Sequence, residues 1–109
     1  RALLTQTGTS APTATVLQNT LGGTVTFAYT STGIYTATLA SAFTVSKTFF
    51  PSRSQIIDPV TEDFGLVQYV RTSANVVTIT TFDVDLGAAA PAAANTVLAG
   101  TEIAVIVFP

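Results

Sequence analysis

Histidine and cysteine are both missing from this sequence of 109 residues. General acid–base catalysis, nucleophile activation and most metal sites depend on these two residue types or on clustered carboxylates. Without cysteine the chain also cannot form disulfides or thiolate metal sites, and its redox compartment stays open. We therefore predict a protein that is not an enzyme and that carries no cofactor and no metal.

Charged residues are also scarce, at 9% of the chain against about a quarter in ordinary globular domains. The four basic residues are scattered at Arg1, Lys47, Arg53 and Arg71. Because they form no basic stripe, we expect no nucleic-acid partner. No apolar run approaches the roughly 20 residues of a transmembrane helix, so we expect a soluble chain with no membrane partner. The chain starts at Arg1 directly before an apolar segment, which suggests that residues upstream of it are missing.

Threonine is abundant and makes up about a fifth of the sequence, often alternating with Val or another apolar residue. β-Branched side chains fit the pleated surface of a sheet and lose rotamer freedom in a helix, so this pattern favours strands. A length of 109 residues suits one hydrophobic core. We predict a single β domain that spans residues 1–109.

Turn-forming residues divide the chain into about eight strand candidates. Two pairs read as hairpins: residues 24–29 with 34–39, and residues 64–71 with 75–82. The other candidates are residues 2–7, 13–19, 46–50, 55–57 and 101–108, whereas 40–45 is ambiguous and 87–95 is predicted to be a loop with at most one helical turn. The spacing favours an all-β fold, a single-domain antiparallel β-sandwich that is jelly-roll-like, with a small β-barrel as the alternative.

The apolar stretch at residues 101–108 is predicted to be one central strand that is covered on both faces. Successive side chains of a strand point to opposite sides, yet here Ile103 and Val107 on one side and Ala104, Ile106 and Phe108 on the other are all apolar. One side is expected to face the core. We predict that the side with Ala104, Ile106 and Phe108 makes a sheet-to-sheet or subunit contact.

Three groups of polar residues are candidates for chemical sites. Asp83 and Asp85 lie two apart and could share a Ca²⁺ ion, but calcium takes six to eight oxygen ligands, so a solvated strand end is favoured. The acids Asp58, Glu62 and Asp63 surround Pro59 and are interpreted as an exposed turn rather than a cation or glycosidase site. Ser46 and Lys47 are neighbours, and in a strand they would point to opposite faces and could not act as a catalytic pair.

The aromatic residues give the candidate binding surfaces. Tyr29, Tyr35 and Tyr69 could stack on sugar rings, although a role in the core or in a subunit contact is favoured because no polar cluster accompanies them. Phe49 and Phe50 are adjacent, so one is expected in the core and the other at a subunit contact.

Residues 2–23, with the sequence ALLTQTGTSAPTATVLQNTLGG, resemble a family of small β-rich proteins from Bacteroidota and their phages. Members of that family share an ALLTQ-G-T-APTATVL-NTLGG opening, and the resemblance continues through residues 33–39, 43–48 and 101–103. The chain departs from the family at residues 105–108, where similar proteins carry a basic residue and a Tyr. The resemblance implies a phage or bacterial particle as the setting and a structural or decoration role, with no activity attached to any residue.

The sequence leaves three functional hypotheses. The first is a non-enzymatic structural protein of a phage virion, of capsid, spike, fibre or decoration type, that forms a homo-oligomer, expected to be a trimer, and contacts other virion proteins. The second is a carbohydrate- or receptor-binding module of a fibre, which would bind a glycan or a host receptor through the tyrosines. The third is a subunit of a bacterial extracellular or cell-surface filament joined by strand addition.

Overall fold

In the computed structural model, residues 1–51, 64–85 and 90–109 are described in full and residues 55–57 by their backbone. The regular elements in this part of the chain are all strands. They are β1 (Ala2–Thr5), β2 (Thr13–Val16), β3 (Thr26–Ser31), β4 (Ile34–Thr38), β5 (Thr48–Phe49), β6 (Gln55–Ile57), β7 (Phe64–Arg71), β8 (Val76–Val84), β9 (Ala92–Ala93), β10 (Thr101–Ile103) and β11 (Ile106–Val107).

The main sheet has the strand order β3-β4-β8-β7-β6, and every pairing in it is antiparallel. Both predicted hairpins are confirmed, as β3 with β4 and as β7 with β8. Gly33 closes the first hairpin with a φ of +67°, and a Cβ atom there would lie 2.5 Å from the carbonyl oxygen of Thr81. Only glycine fits both this conformation and this close approach.

A smaller sheet with the order β10-β1-β2 and a two-stranded ribbon of β11 and β5 complete the fold. In the smaller sheet Ala2 lies opposite Ile103 on one side and Val16 on the other. The sheets keep open edges, so the barrel alternative is wrong and the predicted all-β, antiparallel sandwich is confirmed.

The core lies between the main sheet and the smaller sheet. The main sheet contributes Tyr35, Ala37, Val67, Val77 and Ile79, the smaller sheet contributes Ala2, Leu4 and Ile103, and loops contribute Phe43, Val97 and Leu98. Inward and outward residues alternate along β4 and β8, as expected for strands with one face on a core. Each large aliphatic side chain buried in this way stabilises the fold by about 2 kcal/mol.

The alanine-rich segment at residues 87–95 differs from its prediction, because Ala92 and Ala93 form β9. They pair with Asp83 and Phe82 of β8, past Thr80, the last residue of β8 that pairs with β4. Alanine has little intrinsic preference for strands, so the pairing depends on backbone contacts that the residue types do not reveal. Residues 86–89 lie outside the described residues.

The stretch at residues 101–108 is two short strands in two different sheets, so the prediction of one central strand is wrong. Thr101–Ile103 pairs with β1 at the edge of the smaller sheet, and Ile106–Val107 pairs with β5. Ala104 and Val105 belong to neither strand and carry the chain from one sheet to the other. The sequence of residues 101–108 gives no sign of this crossing, because the residues directly before and after Ala104 and Val105 are apolar as well.

Candidate functional site: the outer face of the β5–β11 ribbon

The β5–β11 ribbon carries an exposed apolar surface. Phe49 and Ile106 are cross-strand partners, so their side chains share a face. The next residue of this face is Phe108, and its N–H donates to the carbonyl oxygen of Lys47 at 3.0 Å, which extends the ribbon by one bond. The exposed fractions of Phe49, Ile106 and Phe108 are 56%, 42% and 56%. We call these three residues the ribbon face.

The opposite face of the ribbon points inward. Val107 pairs with Thr48 and packs against the hydrophobic core. The alternation of β11 is therefore the one that the sequence predicts, with Val107 inside and Ile106 and Phe108 outside. Val45, which lies in the turn just before β5, is 65% exposed and adds apolar surface that the sequence reading missed.

Two of the five predicted contact residues do not belong to the ribbon face. Ala104 is buried, because the chain turns inward between β10 and β11. Phe50 is half-buried, and its ring stacks on Tyr69 with ring centroids 5.4 Å apart and planes at 14°. Such aromatic pairs contribute about 1 kcal/mol beyond the area that they bury. Of the adjacent phenylalanines, Phe50 is thus the inward one and Phe49 is the exposed one.

The tyrosines are not arranged as a ligand-stacking surface. Tyr35 is fully buried, so the ligand-stacking candidacy is wrong for this residue, and it has the core role that the sequence favours. Its hydroxyl donates to Asn95 Oδ1 at 3.1 Å, and Tyr29 packs against it edge to face with ring centroids 5.9 Å apart. Burial raises the pKa of the Tyr35 phenol above its ordinary value of 10.0. Tyr29 and Tyr69 are half-buried in aromatic contacts within the domain.

The polar residues that are candidates for chemical sites lie in or just after β8, in the turn before β5, or outside the described residues. Asp83 lies within β8, and Asp85 follows the end of that strand. No group of three or more acidic residues is gathered within the described ranges. Asp58, Glu62 and Asp63 lie outside the described residues. Ser46 and Lys47 lie in a turn rather than in a strand, with Ser46 at a φ of +61°, so the argument from opposite strand faces does not apply to them.

A cavity of about 460 Å³ opens between the inner face of the main sheet and the smaller sheet. Its apolar wall includes Phe27, Ala37, Phe43, Ile103 and Val105. Arg1 lies at the cavity and forms an exposed salt bridge with Glu102, Nε to Oε1 at 2.8 Å. An exposed pair of this kind contributes less than about 1 kcal/mol. Polar residues, namely Gln18, Asn19, Thr20 and Thr24, also line the cavity, so it offers both an apolar wall and polar contacts.

Comparison with protein-family models, with curated proteins and with solved structures finds no match for this chain. Within the part of the chain that is described, no helix has the length and apolar character needed to cross a membrane.

Proposed function

We propose that this chain is a non-enzymatic structural component of a phage virion, of capsid, spike, fibre or decoration type, that assembles with further copies of itself. The observation that carries the proposal is the ribbon face, where Phe49, Ile106 and Phe108 lie together and exposed. Large apolar side chains grouped on one exposed face are typical of protein contact sites.

A second copy of the chain is the occupant that fits this face. Phe49, Ile106 and Phe108 carry no charge, so the face offers no electrostatic means of selecting a different, oppositely charged partner. Uncharged apolar side chains can also cluster with the same residues of other copies around a shared symmetry axis, as in a cyclic homo-oligomer. We expect a trimer, with other virion proteins as further partners.

The phage setting rests on the resemblance of residues 2–23 to proteins from Bacteroidota and their phages. A bacterial extracellular filament would use the same self-association and is the alternative location. The receptor-binding alternative has less support, since Tyr35 is buried and both Tyr29 and Tyr69 are engaged in ring contacts within the domain.

The test is the mass of the protein in solution, measured by light scattering at micromolar concentration. We expect an oligomer for the wild-type chain and a lower solution mass for Ile106→Asp, because a charge would be buried unpaired in the contact. Val70→Asp is the matched control, since Val70 is 57% exposed and lies on the face of β7 opposite to Tyr69, whose ring contacts Phe50. Circular dichroism of each variant checks that it is folded.

A stable wild-type monomer that does not copurify with phage particles would overturn the proposal. An oligomer that Ile106→Asp leaves intact would show that the ribbon face is not the contact.

A further inference from the structure

Strand β3 forms one edge of the main sheet, and none of the described strands pairs with its outer side. It pairs with β4 on one side and is the first strand in the sheet order. Among the described residues, no backbone hydrogen bond joins Thr26–Ser31 to anything other than β4. A row of N–H and C=O groups along this edge therefore faces outward and is available to a further strand.

This edge lacks the devices that usually prevent strand addition. Natural edge strands carry charged residues, Pro or a bulge. Residues 2–46 contain no charged residue at all, and β3 itself contains no Pro. A bulge lies between Tyr29 and Ser31, at the end of the strand, and leaves residues 26–29 in regular register with β4. The regular part of the edge is thus both uncharged and extended.

The order of residues along β3 is self-complementary. Residues 26–30 read Thr-Phe-Ala-Tyr-Thr, so Ala28 has an aromatic residue on each side and then a Thr on each side. If two copies of β3 lie antiparallel with Ala28 opposite Ala28, each Phe27 meets a Tyr29 on the inner face. Aromatic pairs directly opposite one another stabilise antiparallel strands.

The inner side chains of β3 also lack cover at the edge. Phe27 and Tyr29 belong to the inward-facing set, yet both are only half-buried, whereas Tyr35 and Ala37 on the next strand are buried. An additional strand on this edge would bury the exposed parts of both rings and satisfy the outward backbone groups at the same time.

We propose that β3 pairs antiparallel with β3 of a second copy, about a two-fold axis that passes beside Ala28, so that the two main sheets become one continuous sheet. The inference rests on the proposed function in that the partner is another copy, but it assigns a surface different from the ribbon face. The two-fold contact at β3, combined with the cyclic oligomer formed through the ribbon face, would build a larger closed or extended assembly.

Cross-linking through introduced cysteines tests the pairing, and the cysteine-free chain makes each variant a single-thiol protein. Directly opposed residues of antiparallel strands have Cα atoms about 4.5–5.5 Å apart, which is within the range of a disulfide. We expect Ala28→Cys to give a covalent dimer as the main product on oxidation or with a short bismaleimide. Thr36→Cys is the control, because Thr36 lies beside Ala28 on β4 and the two copies would be roughly 14 Å apart.

A second variant, Ala28→Lys, places two like charges opposite each other and is expected to remove the two-fold contact and lower the solution mass. Gln68→Lys, at an exposed position of β7, is expected to leave the mass unchanged. Cross-linking of Ala28→Cys no greater than that of Thr36→Cys would overturn the inference.

The outcomes separate this inference from the proposed function. An oligomer that Ile106→Asp dissociates, but that Ala28→Lys leaves intact and Ala28→Cys does not cross-link, contradicts the inference alone. A monomeric wild-type chain, together with an Ala28→Cys variant that does not cross-link above its control, contradicts both. Cross-linking that persists when Ala28→Cys is combined with Ile106→Asp supports the β3 contact as independent of the ribbon face.

Discussion

Asn95 is the residue that fixes the loop after β9 to the β3–β4 hairpin. Its Oδ1 atom accepts a hydrogen bond from the N–H of Gly33 at 2.8 Å and another from the hydroxyl of Tyr35 at 3.1 Å. Tyr35 is fully buried and Gly33 is buried in its turn, so neither donor has water as a substitute partner. One side-chain oxygen thereby satisfies two donors from a different part of the chain.

We expect Asn95→Ala to lower the free energy of unfolding by about 2 kcal/mol, because the N–H of Gly33 loses its side-chain acceptor and the Tyr35 hydroxyl keeps only the longer bond to the carbonyl oxygen of residue 95, at 3.5 Å. Urea denaturation measures the change. Asn19→Ala is a matched control: Asn19 also makes two local bonds, to Gly23 and from the N–H of Leu21, but it is exposed. That variant should lose no more than about 1 kcal/mol. Equal losses in the two variants would contradict the role of burial.

The sequence predicts a side chain best where its partners are close along the chain. Alternation across residues 106–108 correctly places Ile106 and Phe108 on the outer side. It fails at Ala104, because the chain crosses between sheets there and the alternation restarts. The sequence favours a core or subunit role for Tyr35, but it does not identify the acceptor for its hydroxyl, because Asn95 is sixty residues away along the chain.

At the scale of elements, the hairpins β3–β4 and β7–β8 are visible in the sequence because each is built from neighbouring segments with turn residues between them. Pairings between distant segments are not visible in this way. The pairing of β1 with β10 joins the two ends of the chain, and that of β11 with β5 spans more than fifty residues. The symmetric order of residues 26–30 can likewise be read from the sequence, but only the strand order shows that β3 is an edge.

The two faces of β11 are expected to respond differently to the same change. Val107→Ser removes apolar contacts with the core and should cost about 1–2 kcal/mol of unfolding free energy. Phe108→Ser alters an exposed residue and should change the stability of the monomer by less than about 0.5 kcal/mol. Urea denaturation at concentrations where the chain is monomeric makes the comparison. A larger loss for Phe108→Ser would mean that β11 is oriented the other way.

For the whole molecule, the distribution of charge is the feature that links stability with assembly. The first 46 residues hold a single charged residue, Arg1, so β1 to β4 present surfaces of Thr, Ala, Val and aromatic side chains. Such surfaces provide little repulsion between copies, and a net charge of −2 adds little more. Both contacts proposed above use apolar or uncharged surface, and neither needs an ion pair.

The same composition sets the response of stability to pH. The chain has no His and no Cys, so no side chain has an ordinary pKa between about 6 and 9, and the free energy of unfolding should be nearly flat over that range. Above that pH range, the ionisation of Tyr35 affects the free energy of unfolding. Burial raises the pKa of its phenol above 10.0, an effect that the hydrogen bond with Thr81 partly offsets and that Tyr29 increases.

Because the folded state holds the Tyr35 proton more tightly than the unfolded state does, this stabilisation is fully present below about pH 10 and is lost as the pH rises through the folded pKa. We expect the free energy of unfolding, measured by urea denaturation at a series of pH values, to decline above about pH 10 in the wild-type chain. In Tyr35→Phe the decline should be shallower, although the stability at neutral pH is lower because the bond to Asn95 is lost. If the free energy of unfolding declines with the same slope in both chains, ionisation of the Tyr35 phenol is not what lowers the stability at high pH.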